Sequence, residues 1–380
     1  MHPATEKPTS ATTRPRVGIF TRPIDQGTSG SGHHLLEMVR HILELNEEFE
    51  IYLIHYEPNE KPIYRHPGVA GEIIVPRNPF AAARKLAPYG FSLLHHSPLT
   101  IYSPLRVPGA ARVATIHGAE PNIIPRYYSL QARLHARFIK PRLARRMDHI
   151  FTVSETSKRY YAEHWGVDPG RVSITYNACA PAYRRLEPPF EELPALKRLG
   201  LDTPYLFHIS KHSHRKNPEA IASAFATVAR SEEIPGLKLV LAGKGWENES
   251  LETRLRDLGV LDRVVFTGFV GEEEVVELFN GAFAFLFPSR AEGFGMPNVE
   301  AMACGCPVIT SNAFALPEIV GDAALIVEPE DHDALATSIL RLHREPELRS
   351  QLITKGLDRA ASYSWEKSAR TVLAVYRQLS

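Results

Sequence analysis

Apolar residues fall in short runs between polar loops, and the runs alternate between two periods. Residues 16–21 form a brief apolar run of strand type. After the loop from Gln26 to Gly32, Leu35, Leu36, Val39, Ile42 and Leu43 recur at helical spacing, and residues 50–55 return to a strand. Strand, helix and strand in that order build a parallel sheet, because the crossover helix must pack its apolar stripe on the sheet. Shorter strands are expected at 73–75, 92–95, 113–116 and 149–153.

The pattern restarts after residue 200. Strands are expected at 205–210, 238–242, 263–267, 283–287, 307–310 and 324–327. A helix opens at Pro218, since proline is favoured at the first helical position. The stretch 181–194 is rich in proline and glutamate and reads as a linker. This predicts a tail over 1–15, a first domain over 16–185, a second over 195–362, and a last helix in 363–380 that crosses back to the first domain. The fold class is α/β, with two doubly wound, Rossmann-like domains facing a central cleft. Ligands of such sheets bind beyond the carboxyl ends of the strands, so the loops after strands carry the interest.

Composition works mainly by exclusion. A chain of 380 residues exceeds one ordinary core. Lys plus Arg is 44 and Asp plus Glu is 43, so no global field favours nucleic acid. Three cysteines, Cys179, Cys304 and Cys306, make no disulfide framework and fit a reducing compartment. The polar start lacks a leader's apolar core, and no apolar run approaches the roughly 20 residues of a spanning helix. A cytoplasmic location is expected. One local feature departs from the even balance. Residues 121–147 carry Arg126, Arg133, Arg137, Lys140, Arg142, Arg145 and Arg146 and no acid, interleaved with Leu130, Leu134, Phe138 and Ile139. Such a stretch suits either a solvated helix or peripheral contact with anionic membrane, here the inner face of the cytoplasmic membrane.

The densest chemistry lies between residues 285 and 310. A strand ends at Pro288, a loop carries Glu292, Gly293, Phe294, Gly295 and Met296, and a helix begins near Pro297. Glycines let the backbone approach a ligand, and the helix start presents free N–H groups to a diphosphate. Glu300 is expected in the first helical turn, where it could accept two hydroxyls of a ribose. Glu292 could hold hydroxyls of a sugar. For a bare pair of glutamates, the competing reading is a solvated acid and a helix-dipole partner. After the first strand of the second half come Lys211, Arg215 and Lys216 before the helix at Pro218, a cationic receptor for phosphate.

Glu292-x7-Glu300, with Glu-Gly-Phe-Gly-Met-Pro between strand and helix, resembles the signature of retaining glycosyltransferases of family 4, which have the GT-B fold. The runs from Ala301 to Val308 and from Ala315 to Ala324 match as well, as does Tyr363-Ser-Trp365 before the last helix. The resemblance is strong over 200–380 and weaker over 15–180. It implies a nucleotide-sugar donor, mannose favoured and GDP-mannose first, and a glycan or lipid-linked acceptor in polysaccharide biosynthesis. It implies Glu300 on the ribose and Glu292 on the sugar, together with the N–H groups of Phe294 and Gly295. It puts Lys216 and Lys211 on the diphosphate, although Lys211 stands where arginine is usual and loses its bidentate fork. It implies His117, after a strand of the first domain, near the sugar and the acceptor hydroxyl. The first Gly-rich loop, with Gly30 and Gly32, is implied to close over the diphosphate. No Asp-x-Asp metal motif follows a strand, so the lysines are expected to replace a metal, and no cofactor is expected. His208, His212 and His214 lack a ligand spacing on one helix face, and Cys304 and Cys306 lack a second pair, so no metal site is expected. The alternatives are a nucleotide-sugar epimerase, a sugar phosphorylase, or an inactive sugar-nucleotide binding protein.

Overall fold

The computed structural model describes residues 14–25, 30–187 and 192–380. Most of the expected tail, part of the first Gly-rich loop and part of the linker therefore lie outside the described residues. The chain divides into two compact units. The first holds residues 1–122, 129–177 and 365–380, and the second holds 123–128 and 178–364.

The first unit is built on a 7-stranded sheet in the order β3-β2-β1-β4-β5-β6-β7. Its strands are β1 Arg16–Phe20, β2 Glu50–His55, β3 Val69–Ile74, β4 Leu93–His96, β5 Ala111–Thr115, β6 His149–Thr152 and β7 Val172–Ile174. All pairs are parallel. The central strands are buried on both faces, which is why they read as unbroken apolar runs. β3 starts four residues before the expected position. It is an edge strand with alternating exposure, so half of it carries no apolar signal. The helix Trp365–Leu379 belongs to this unit. Its Ala369, Val372 and Tyr376 are buried at helical spacing, and the Tyr376 hydroxyl meets His95 Nδ1 at 2.6 Å.

The second unit has a 6-stranded sheet in the order β10-β9-β8-β11-β12-β13. Its strands are β8 Tyr205–Ile209, β9 Lys238–Ala242, β10 Val264–Gly268, β11 Ala284–Phe287, β12 Val308–Ser311 and β13 Ala324–Val327. These are again all parallel. In both sheets the strand order reverses once, between β1 and β4 in the first and between β8 and β11 in the second. Successive crossovers leave the sheet in opposite directions there, and the diverging loops leave a crevice.

The basic stretch is a broken helix. Leu130–Leu134 and Lys140–Ala144 are α-helical, and His135–Ile139 between them is a wider π turn. Pro141 gives the reason, because it has no N–H for the carbonyl of Arg137 and its ring crowds that carbonyl. Leu130, Leu134 and Phe138 stand exposed beside Arg133 and Arg137. Lys140 departs from the expected surface role. It turns inward and donates to the Gly118 carbonyl at 3.0 Å.

Candidate active site

The reversal in the second sheet brings together the loops after β8 and β11. Asn217 holds the first of them in place. Its backbone is left-handed, with φ 59°, and its side chain caps the helix Pro218–Ser231. Its amide donates to the carbonyls of Pro288, at 3.1 Å, and Pro329. Asn217 is fully buried, so the loop carrying Arg215 and Lys216 is tied to the end of β11 by satisfied hydrogen bonds rather than by charge.

Glu292 is the convergence point. Lys216 Nζ lies 2.6 Å from its Oε1, and Arg215 pairs with the same oxygen. Arg215 also donates to the Ala291 carbonyl at 2.9 Å. The Lys216 ammonium sits 4.4 Å from the centre of the Phe287 ring, a cation–π contact at the floor of the site. Burial pushes the Glu292 carboxyl up, but Lys216 and then Arg215 overcome it and hold the group at about 2. The carboxylate is ionised, and two cations against one acid leave a positive charge over. Sequence reasoning assigned Lys216 and Lys211 to the phosphate and left Glu292 for the sugar. The structure joins Arg215 and Lys216 through Glu292. Lys211 is exposed and makes no ion pair with Glu292.

Gly293, Phe294 and Gly295 follow, and the helix Met296–Ala303 begins at once. Gly295 has φ 88°, and a Cβ there would lie 2.6 Å from Leu316 Cδ2, so both conformation and space require glycine. Phe294 points into packing, edge-on to Tyr363 at 5.5 Å, so only its backbone faces the loop chemistry. Glu300 is the fifth helical residue and therefore lies in the second turn, not the first. The glycine cap starts the helix earlier than the prolyl signal suggests. Burial, and then the nearby Glu272 charge, push the Glu300 carboxyl up to about 7. Near neutral pH it is shared between a form that donates and a form that only accepts.

In the first unit His117 follows β5. Its Nε2 is buried without a partner, and burial holds the ring neutral. His34 lies edge-on to it, with ring centres 4.6 Å apart. The amide oxygen of Asn177 is 2.5 Å from His34 Nδ1. Burial brings His34 down to about 4. A neutral ring with Nδ1 facing an amide oxygen must carry its proton on Nδ1. Its Nε2 lone pair is therefore bare, and it too has no partner. Gly30 and Gly32, expected in a loop, form the first turn of the helix Gly30–Leu45. Residues 26–29 of that loop lie outside the described residues. Ser154 caps the helix Glu155–Trp165, as a turn residue of that type should.

His208 in β8 and His212 and His214 after it do not converge on one point. His208 has both ring nitrogens bonded, to the Leu286 carbonyl at 2.7 Å and to Ser210 Oγ at 2.8 Å, and His214 pairs with Glu219. Among the described residues no cluster of three potential metal ligands occurs. Sequence reasoning missed Asn217, Phe287 and the His34–Asn177 pair. Asn217 before Pro218 carried a cap signal. Phe287 carried none beyond its neighbours, and Asn177, in Tyr176-Asn177, resembles a turn of the family and reads as structural.

Residues 190–359 match the family model of Glycosyl transferases group 1, and residues 28–183 match that of Glycosyltransferase Family 4. The O-antigen chain mannosyltransferase B of Escherichia coli is 29% identical over 393 residues, covering 96% of this chain and 100% of that one. The serotype-specific mannosyltransferase WbdA of Escherichia coli is 28% identical over 239 residues, 62% of this chain but only 29% of that protein. The solved structure of HepE from Anabaena, in complex with UDP and glucose, matches with a TM-score of 0.74 at 18% identity, covering 96% of this chain and 100% of that chain.

Proposed function

The chain is a glycosyltransferase of the GT-B fold, and we propose that it moves a mannosyl group from GDP-mannose to a glycan or lipid-linked acceptor, with retention and without a metal. The observation that carries this reading is the Arg215–Glu292–Lys216 cluster beside the glycine loop, its glutamate and lysine buried and its arginine half-buried, at the reversal of the second sheet. Leaving-group departure puts negative charge on a phosphate oxygen. Two fixed cations and the N–H groups at a helix start oppose that charge without reorganising, which is the condition for strong electrostatic stabilisation. Glu292 keeps Arg215 and Lys216 close together against their own repulsion and offers its second oxygen to a sugar hydroxyl. Glu300 takes the ribose diol. His117 and His34, both neutral, present bare ring nitrogens suited to sugar hydroxyls rather than to proton storage. The donor assignment is supported by the two mannosyltransferase relatives, and a nucleotide-diphosphate donor by the UDP in HepE.

The exposed Leu130, Leu134 and Phe138 with Arg133 and Arg137 support a peripheral seat on anionic lipid, at about 1 kcal/mol per basic residue near the surface. No helix among the described residues is long and apolar enough to cross a membrane. Proton NMR of the first product formed, run in EDTA, tests retention and metal independence together. An α-linked product made at full rate supports both. A β-linked product would refute retention, and activity recovered only with manganese would refute metal independence.

A further inference from the structure

Asn217 fixes the end of the loop after β8, but Arg215 and Lys216 lie before it, and a second residue holds that part. Arg290, just beyond the end of β11, clamps two successive carbonyls of the loop. Its backbone N–H donates to the Arg215 carbonyl at 2.8 Å, and its guanidinium donates to the His214 carbonyl. His214–Lys216 is one tight turn. Fixing these two carbonyls fixes the two peptide planes on either side of Arg215, the second of which leads into Lys216.

The guanidinium is itself held from several sides. Its Nε and Nη2 form a fork on Glu330, at 2.7 and 3.1 Å, and its Nη1 reaches Glu219 at 3.3 Å. Glu330 follows β13, and Glu219 lies in the first turn of the helix Pro218–Ser231. Tyr127 packs on the guanidinium. Its ring centre is 5.2 Å from the guanidinium carbon and 5.9 Å from the centre of the His214 ring, with the two rings nearly parallel at 20°. Residues 123–128 belong to the second unit, although the chain on either side of them belongs to the first. Only 8% of the Arg290 side chain is exposed, against 34% for Glu219 and 58% for Glu330. Acids that exposed need no buried partner, because water already screens them. Balancing their charge therefore does not account for where Arg290 sits.

We infer that Arg290 is a positioning residue for the two cations of the cluster. It holds the turn His214–Lys216 so that Arg215 and Lys216 meet on Glu292, and Tyr127 keeps its guanidinium in place. Its effect on rate rests on the transfer reading above, and its hold on the turn does not. Arginine presents its N–H groups in a rigid plane, and four hydrogen bonds use that plane here. Lysine carries the same charge on a flexible stem and cannot make the fork and reach the carbonyl together. Misplacing a reacting or charged group by about 1 Å can cost roughly 100-fold in rate.

Hydrogen exchange of the 213–217 amides and nucleoside-diphosphate release from GDP-mannose are measured on the full chain. The variants are Arg290→Lys, Tyr127→Ala, Tyr127→Phe, and Arg290→Lys combined with Lys216→Gln. In Arg290→Lys the turn should exchange roughly tenfold faster while β8 and β11 keep their protection. Its kcat should fall roughly 10- to 100-fold at saturating donor. Because Arg290 acts through the cations, the combined variant should be no more than about threefold slower than Lys216→Gln alone. Tyr127→Ala and Tyr127→Phe leave Arg290 in place, so they report on the same turn whatever Arg290→Lys does to folding. Tyr127→Ala should loosen the turn and lower kcat roughly 2- to 5-fold, the size of a cation–π contact, and Tyr127→Phe, which keeps the ring, should match the parent. A kcat of Arg290→Lys within about threefold of the parent overturns the inference, since charge alone would then suffice. So do losses that multiply in the combined variant, exchange raised equally across the whole sheet, or equal effects of the two Tyr127 variants. Failure of the transfer reading shows separately, as no release by the parent from any nucleotide sugar while the turn of Arg290→Lys still exchanges faster.

Discussion

Replacing Lys216 by glutamine keeps the length of the side chain and a polar end but removes one of the two charges on Glu292. The magnitude follows from the carboxyl. Its pKa falls from the ordinary 4.5 to about 2 in the folded protein. At about 1.36 kcal/mol per pH unit, that favours folding by roughly 3 kcal/mol at neutral pH. Lys216 and Arg215 share the effect, so the variant should lose about 1.5–2 kcal/mol, or roughly 3–8 °C in melting temperature. The sign with pH is fixed. A depressed carboxyl stabilises above about pH 4.5 and loses that stabilisation as pH falls toward about 2. The gap between parent and variant should therefore be wide at pH 7 and close on acidification. Catalysis should fall further than stability, by roughly 100- to 1000-fold in kcat, because the lysine also faces the charge that develops on the leaving phosphate. Thermal melts between pH 3 and 8 and nucleoside-diphosphate release at saturating donor measure both. A gap that widens on acidification, or a kcat within about fivefold of the parent, would refute the reasoning.

Glu300→Gln should do the opposite to stability. A carboxyl raised to about 7 is penalised as pH rises from about 4.5 to 7. The variant should therefore melt higher than the parent at pH 8 and equally at pH 4, while its donor KM rises roughly 10-fold through the lost ribose contact. Gly295→Ala must adopt φ 88° and push Leu316 aside, so it should lose about 3 kcal/mol by denaturant titration. Because His34 and His117 stay neutral, the ring-proton NMR signals of both should show no titration between about pH 5.5 and 7.5. Asn177→Ala, which frees His34 Nδ1, should lower transfer while leaving nucleotide binding intact.

The alternation of short apolar runs and helical stripes was enough to read two parallel sheets, because both sheets are buried on two faces and their central strands carry continuous apolar signal. The edge strand β3 was misplaced because half its residues are exposed. The glutamates and the glycine loop were legible, since a loop between a strand and a helix in such a fold is where ligands sit. Which cation meets which acid was not. Arg215 and Lys216 are 76 residues or more from Glu292, and only the order β8-β11 in the sheet brings them together. Lys211 and Lys216 look equivalent in sequence, but Asn217 pins only the second against β11. The inward turn of Lys140 was hidden for a similar reason, because a basic helix gives no sign of which member faces the sheet.

Nucleoside-diphosphate release from GDP-mannose, compared between the parent and the Lys216→Gln and Glu300→Gln variants, tests the role of the cluster most directly. The expected result is measurable release by the parent, a loss of roughly 100-fold or more in Lys216→Gln at saturating donor, and a loss in Glu300→Gln that high donor concentration restores. Release unchanged in both variants would contradict the claim that this cluster holds and cleaves the donor.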